Sequence, residues 1–237
     1  MKNQYFADIT DYRNYGLLRI LADGGALRTA VCWMLTPDDG RSDGGFTRYL
    51  SQPERFRRYD PPLFDLLAAS LAPGEERSVR ALARHGVIPG AVYFEQPLTD
   101  EPAEREAYFA SFLRSAAGCD LVFFDPDNGM QVHSVPWGRR RSSKYLYWHE
   151  LAAAYHAGFS TLVFQYYRRE DRGHFTRCLV EEFTARLGCP VVFTFSTARV
   201  LFLLAAQAQH VQRLLERSRV VASAWRRQIQ VAQHHLL

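Results

Sequence analysis

A run of four apolar residues, Leu121 to Phe124, ends in Asp125-Pro126-Asp127-Asn128-Gly129. Successive residues of a strand point to opposite faces, so a strand with no polar alternation is buried on both. That is the signature of a parallel sheet covered by helices. Pro126 and Gly129 stop the strand and turn the chain. In open α/β sheets ligands bind at the carboxyl ends of strands, where this turn delivers two carboxylates and an amide. The same residue types are the commonest turn formers, so a plain capped turn is the structural alternative.

The rest of the chain follows that lead. Residues 29–35 (TAVCWML), 91–96 (AVYFEQ) and 161–167 (TLVFQYY) read as further buried strands. They alternate with helix-like spacing over 8–22, 62–71, 78–85, 103–117, 148–157 and 170–187. Residues 36–45, TPDDGRSDGG, form a loop. The stretches 190–196 and 199–205 are separated only by Thr197 and Ala198. That is too short for a crossover helix and predicts an antiparallel hairpin. A long helix from about 207 to 233 is expected to close the chain. The predicted fold class is α/β: a Rossmann-like, mostly parallel sheet with helices on both faces and a C-terminal antiparallel hairpin. One domain covers 1–237, with an N-terminal helical segment at 1–25.

The 47% apolar content supplies ample core, and no apolar stretch reaches the ~20 residues that span a bilayer. The first residues lack the apolar core of a signal peptide, so a cytoplasmic protein with no membrane partner is expected. Cys32, Cys119, Cys178 and Cys189 show no metal spacing and read as free thiols, mostly buried. The net charge of +4 is modest, but its distribution is not even. Arg139, Arg140, Arg141 and Lys144 follow the DPDNG turn, and Arg168, Arg169 and Arg172 follow the next strand. In a parallel sheet both clusters leave from the same edge, which suits a polyanionic partner or, alternatively, two solvated loops. On the C-terminal helix Val211, Leu214, Leu215, Val221 and Trp225 should pack on the sheet or on a second copy, making a homo-oligomer one possibility. Its arginines, Arg226 and Arg227 among them, read as a solvated face.

The Asp125-Pro126 pair resembles the first half of motif IV of amino-methyltransferases, [DNS]PP[YFW], and Asp127-Asn128 departs from its second half. An α/β sheet with an antiparallel strand near its C-terminus is the layout of class I methyltransferases. The chain is similar to bacterial rRNA adenine methyltransferases of the RlmJ type and, more loosely, to three-cysteine-motif partner proteins. The similarity is carried by the order of elements, the polar segment from Phe6 to Tyr15, and Phe164-Gln165-Tyr166-Tyr167-Arg168-Arg169 after a strand. It implies S-adenosylmethionine as cofactor and an exocyclic amine of a nucleobase or nucleic acid as substrate. Asp125, with Pro126, Asp127 and Asn128, would orient that amine. Asp8, Asp11, Tyr15, Asp39, Gly40, Gly44, Gly45 and Glu95 would face the cofactor. Trp137, Tyr166, Arg139, Arg140, Arg141, Lys144, Arg168 and Arg169 would meet the substrate. Tyr145 or Tyr147 are alternative stacking residues.

Two other readings use the same residues. Asp38, Asp39, Asp43, Glu95, Asp125 and Asp127 could converge as hard oxygen ligands for Mg²⁺, giving a nuclease or phosphohydrolase. A chain without a GxGxG loop and with an altered motif IV could also be a binding subunit that has lost catalysis.

Overall fold

The computed structural model describes residues 1–40, 44–72, 74 and 77–235. Nine strands are formed: β1 (Thr29–Cys32), β2 (Val92–Phe94), β3 (Leu121–Phe124), β4 (Gly129–Met130), β5 (Tyr145–Leu146), β6 (Ser160–Tyr166), β7 (Val191–Ser196), β8 (Val200–Ala206) and β9 (Gln230–His235). The helices are α1 (Ile9–Leu21), α2 (Pro53–Phe56), α3 (Pro61–Ala69), α4 (Arg80–Arg84), α5 (Pro102–Ser115), α6 (Trp148–His156), α7 (Arg172–Leu187) and α8 (Val211–Ala224).

Seven strands make one sheet in the order β2-β1-β3-β6-β8-β7-β9, while β4 and β5 pair separately. The first four are parallel, and β8 is antiparallel to both β6 and β7. The expected α/β class, parallel core and closing hairpin are all present. All four residues of β3 are fully buried because both faces are covered. Leu121 and Phe123 face a core layer shared with Tyr12 and Leu18 of α1, Phe64 of α3 and Leu214 of α8. Val122 and Phe124 face Phe112 of α5, Leu151 of α6 and Phe183 of α7.

The C-terminal end differs from the single helix expected over 207–233. Helix α8 stops at Ala224, and residues 230–235 add β9 to the sheet edge beside β7. The pair His234-His235 lies in that strand. Trp225 and Ile229 continue the apolar spacing of α8, but both are buried by tertiary packing after the helix has ended. Trp225 fills the notch left by Gly16 of α1, where an added Cβ would lie 2.2 Å from the indole. The apolar stripe of α8 is thus used within the chain, on α1 and the sheet, with Leu214 and Val221 fully buried. Among the described residues no helix is long and apolar enough to cross a membrane. Three of the four thiols are buried and free as expected, whereas Cys178 is exposed on α7.

Candidate functional site

The connection from β1 runs outward to β2 and returns on the other side to β3, so the strand order reverses between β1 and β3. A crevice opens at such a point, beyond the carboxyl ends of the strands. Here it is a cavity of about 400 Å³ lined by residues of the DPDNG turn, the start of α1, the 44–46 loop and the end of β6. The size falls in the range of about 300–1,000 Å³ typical of small-molecule sites.

The turn is held from three sides. The Asp125 N–H donates to the Cys32 carbonyl at 3.0 Å, continuing the β1–β3 ladder by one residue. The Asn128 N–H donates to the Lys144 carbonyl at 2.9 Å. Gly129 has φ +98°, and a Cβ there would lie 2.4 Å from the Gln165 side-chain oxygen. That oxygen accepts the Met130 N–H at 2.7 Å. Glycine is therefore required both for its backbone conformation and for the close approach of Gln165.

Helix α1 brings the second set of carboxylates. Asp8 is its N-cap, accepting from the Thr10 and Asp11 N–H groups at 2.6 and 3.0 Å. The buried Tyr15 hydroxyl donates to Asp11 Oδ2 at 2.7 Å, one helical turn away, and so fixes its rotamer. Asp8, Asp11 and Asp125 all line the cavity. Burial raises the proton affinity of all three. Asp11 is held well above the usual carboxylate range by burial and then by Asp8 and Asp125. Burial raises Asp8 against the opposing N-cap bonds. Asp125 is pushed up to about 7, chiefly by burial, with the Met1 amine pulling down and Asp127 and Asp8 pushing up. Its Oδ2 is buried without a hydrogen-bond partner.

Asp127 behaves oppositely. Burial would raise it, but the Met1 α-amino group at 3.0 Å, the Thr36 hydroxyl at 3.0 Å and Lys144 at 3.5 Å together hold it below the usual range. The two aspartates of one turn thus have different characters: Asp127 is a neutralised anchor and Asp125 an unsatisfied acceptor. Aromatic faces complete the cavity, with Phe164 and Tyr166 in edge-to-face contact at 4.9 Å and Phe46 under the Arg199 guanidinium at 4.2 Å.

Of the residues picked out from sequence, Asp8, Asp11, Gly44, Asp125, Pro126, Asp127, Asn128 and Tyr166 meet at this cavity. Tyr15 acts from behind Asp11. Lys144 reaches the site only through Asp127. Asp38 and Asp39 instead bind the N-terminal segment: the Gln4 N–H donates to Asp38 at 3.1 Å, and Lys2 pairs with Asp39. Gly44 abuts Tyr5, and Gly40 turns in open space with φ +67°. Gly45 is exposed. Glu95 sits in a different crevice, paired with Arg80 at 3.3 Å. Trp137 donates to Glu150 at 3.0 Å, and Tyr147 packs under Arg105, both away from the cavity. Arg139, Arg140 and Arg141 are exposed on the 131–141 loop, where the Arg141 N–H donates to Asp100. Arg168 lies over Phe175 beside a separate shallow pocket, and Arg169 is exposed. The acids expected as metal ligands are thus dispersed. Among the described residues no three Asp, Glu, His or Cys side chains are grouped to hold a metal ion, and Asp43 lies outside those residues.

Comparison with protein families, curated proteins and solved structures finds no match to this chain. The site must be read from its own chemistry.

Sequence reasoning missed Thr10, Phe46 and Arg199 at the cavity, and the Met1, Lys2 and Thr36 contacts that neutralise Asp127. Phe46 and Arg199 are exposed loop residues with no local signal, and the tertiary fold alone joins them.

Proposed function

We propose that this chain is an S-adenosylmethionine-dependent methyltransferase acting on an exocyclic amine of a nucleobase, with Asp125 receiving the amine. The observation that carries the reading is the Asp125 carboxylate. It is buried, lacks a partner at Oδ2, and stands at the strand-end cavity beside the point where the strand order reverses. A buried acceptor left unpaired costs about 1–3 kcal/mol. An N–H donor entering the cavity recovers that cost, so the site is complementary to an amine.

The lining fits such a cofactor. Asp8 and Asp11 offer carboxyl oxygens to its cationic centres, and Phe46, Phe164 and Tyr166 offer aromatic surface to a flat ring. The cofactor, when bound, supplies the electrophilic methyl group. Asp125 accepts the amine N–H and thereby aims its lone pair, a positioning role. With a pKa of about 7, Asp125 is also matched to taking up the proton the amine loses as it is methylated. Asp127 keeps the turn in place through its ties to the N-terminal amine, Thr36 and Lys144.

Calorimetric titration of the intact chain with S-adenosylmethionine and, separately, with Mg²⁺ tests this reading. Saturable cofactor binding, weakened at least tenfold by Asp11→Asn, is expected. Mg²⁺ binding without cofactor binding overturns it in favour of hydrolysis.

A further inference from the structure

A line of arginines leaves the cavity and ends in a second, basic groove. That groove, about 230 Å³, is lined by Arg58, Tyr59, Ser223, Ala224, Arg226 and Arg227, three guanidinium groups with no carboxylate. Its floor is rigid. Tyr59 stacks on the buried Trp225 at 5.3 Å between ring centroids, and Arg58 lies over the Tyr59 ring at 5.2 Å while donating to its hydroxyl at 3.3 Å.

Arg13 connects the groove to the cavity. Its Nε and Nη2 donate to Gln228 Oε1 at 3.0 and 2.6 Å, and Gln228 in turn hydrogen-bonds the Tyr59 hydroxyl. On the other side Arg13 interacts electrostatically with Asp8 and Arg199, both of which line the cavity. Arg199, Arg13, Arg58, Arg226 and Arg227 therefore form one path. Among the described residues none of the five is ion-paired with a carboxylate. Their neighbours differ: Arg57 is paired with Asp65 and Arg217 with Asp23, while Arg213 donates to the Ala26 carbonyl. Arg13 and Arg199 repel each other, only partly offset by Asp8, and an anion lying along the path relieves that repulsion.

We propose that this path binds the phosphodiester backbone of a single-stranded nucleic acid and leads one of its bases into the Asp125 cavity. The purpose given to the cavity rests on the methyl-transfer reading above; binding along the path does not. Arginine matches phosphate through paired N–H donors. A single strand is favoured because a base can enter an enclosed site only when splayed from its neighbours, which costs least without a paired strand.

The test is fluorescence anisotropy of the intact chain with labelled single-stranded RNA and DNA oligonucleotides of mixed sequence, without cofactor. Binding should weaken steeply as salt rises from about 50 to 200 mM. The combined Arg58→Ala, Arg226→Ala and Arg227→Ala variant, checked for its folded circular-dichroism spectrum, should lose at least tenfold in affinity. It should also flatten the log–log salt slope by about 2, since each lost phosphate contact on a single strand contributes about 0.7. Arg139→Ala with Arg140→Ala and Arg169→Ala should change affinity less than twofold. No oligonucleotide binding, binding unchanged in the Arg58 triple variant, or binding only to vesicles containing phosphatidylserine each overturns the proposal. If the cofactor binds and oligonucleotides do not, this path falls while methyl transfer to a small amine stands. If oligonucleotides follow the path and the cofactor does not bind, the reverse holds.

Discussion

Asp125→Asn removes the charge of the central residue of the site while keeping its shape and an acceptor oxygen. In the folded chain burial raises the Asp125 pKa from 3.8 to about 7. The folded state therefore holds a proton more tightly than the unfolded one. The stability Asp125 contributes is fully present below pH 3.8 and is lost as the pH rises towards 7. At about 1.4 kcal/mol per tenfold change in proton affinity, the full loss above pH 7 is about 4 kcal/mol, and at pH 5 about a third of it is already incurred. Asparagine removes the charge, so it should stabilise the chain by about 2–3 kcal/mol more at pH 8 than at pH 5. At about 2–4 °C per kcal/mol for a chain of this size, that is a difference of about 4–12 °C in the thermal shift. Scanning calorimetry of both proteins at the two pH values measures it. Equal shifts at pH 5 and pH 8, or a large destabilisation at both, would refute the argument that a buried, uncompensated carboxylate is held here for function.

Three further outcomes follow from the same contacts. Arg105 is fully buried and meets Glu150 through two bonds of 2.5 and 2.9 Å while donating to the Ser142 and Tyr145 carbonyls. Arg105→Ala should cost about 3–5 kcal/mol in urea denaturation, and pairing Arg105→Met with Glu150→Met should recover most of it. Gly16→Ala drives a Cβ into Trp225 and should cost about 1–3 kcal/mol by the same assay. Affinity for a cationic ligand should fall as the pH drops below about 7, because Asp125 takes up its proton there. Calorimetry at pH 6 and pH 8 checks this, and a flat profile contradicts the acidic-cavity account.

The parallel core was legible because its strands carry their own signal. Leu121 to Phe124 has no polar residue, and the chain between Ser196 and Val200 is too short for anything but a hairpin. Strand β9 was not legible, since Gln230, Gln233, His234 and His235 give an edge strand no apolar alternation, while Ile229 prolongs the helical spacing of α8. In the acidic half of the site Asp125 was readable from the turn that ends an apolar strand and Asp8 from its place as a helix cap, while Asp11 entered only through the polar segment of the resemblance. The basic half was not. Arg139–Arg141 and Arg168–Arg169 stand out as runs in the sequence but stay on exposed loops, whereas the path from Arg199 to Arg227 is assembled from four separate places in the chain. Charge clustered in sequence marks local chain, and charge clustered in space depends on long-range packing such as Trp225 against Tyr59.

The most direct measurement is transfer of labelled methyl from S-adenosylmethionine to single-stranded nucleic acid by the intact chain and by Asp125→Ala. The account predicts label on an exocyclic base amine with the unaltered chain and none with the variant. Absence of label with the unaltered chain, when both cofactor and oligonucleotide are shown to bind, would contradict it.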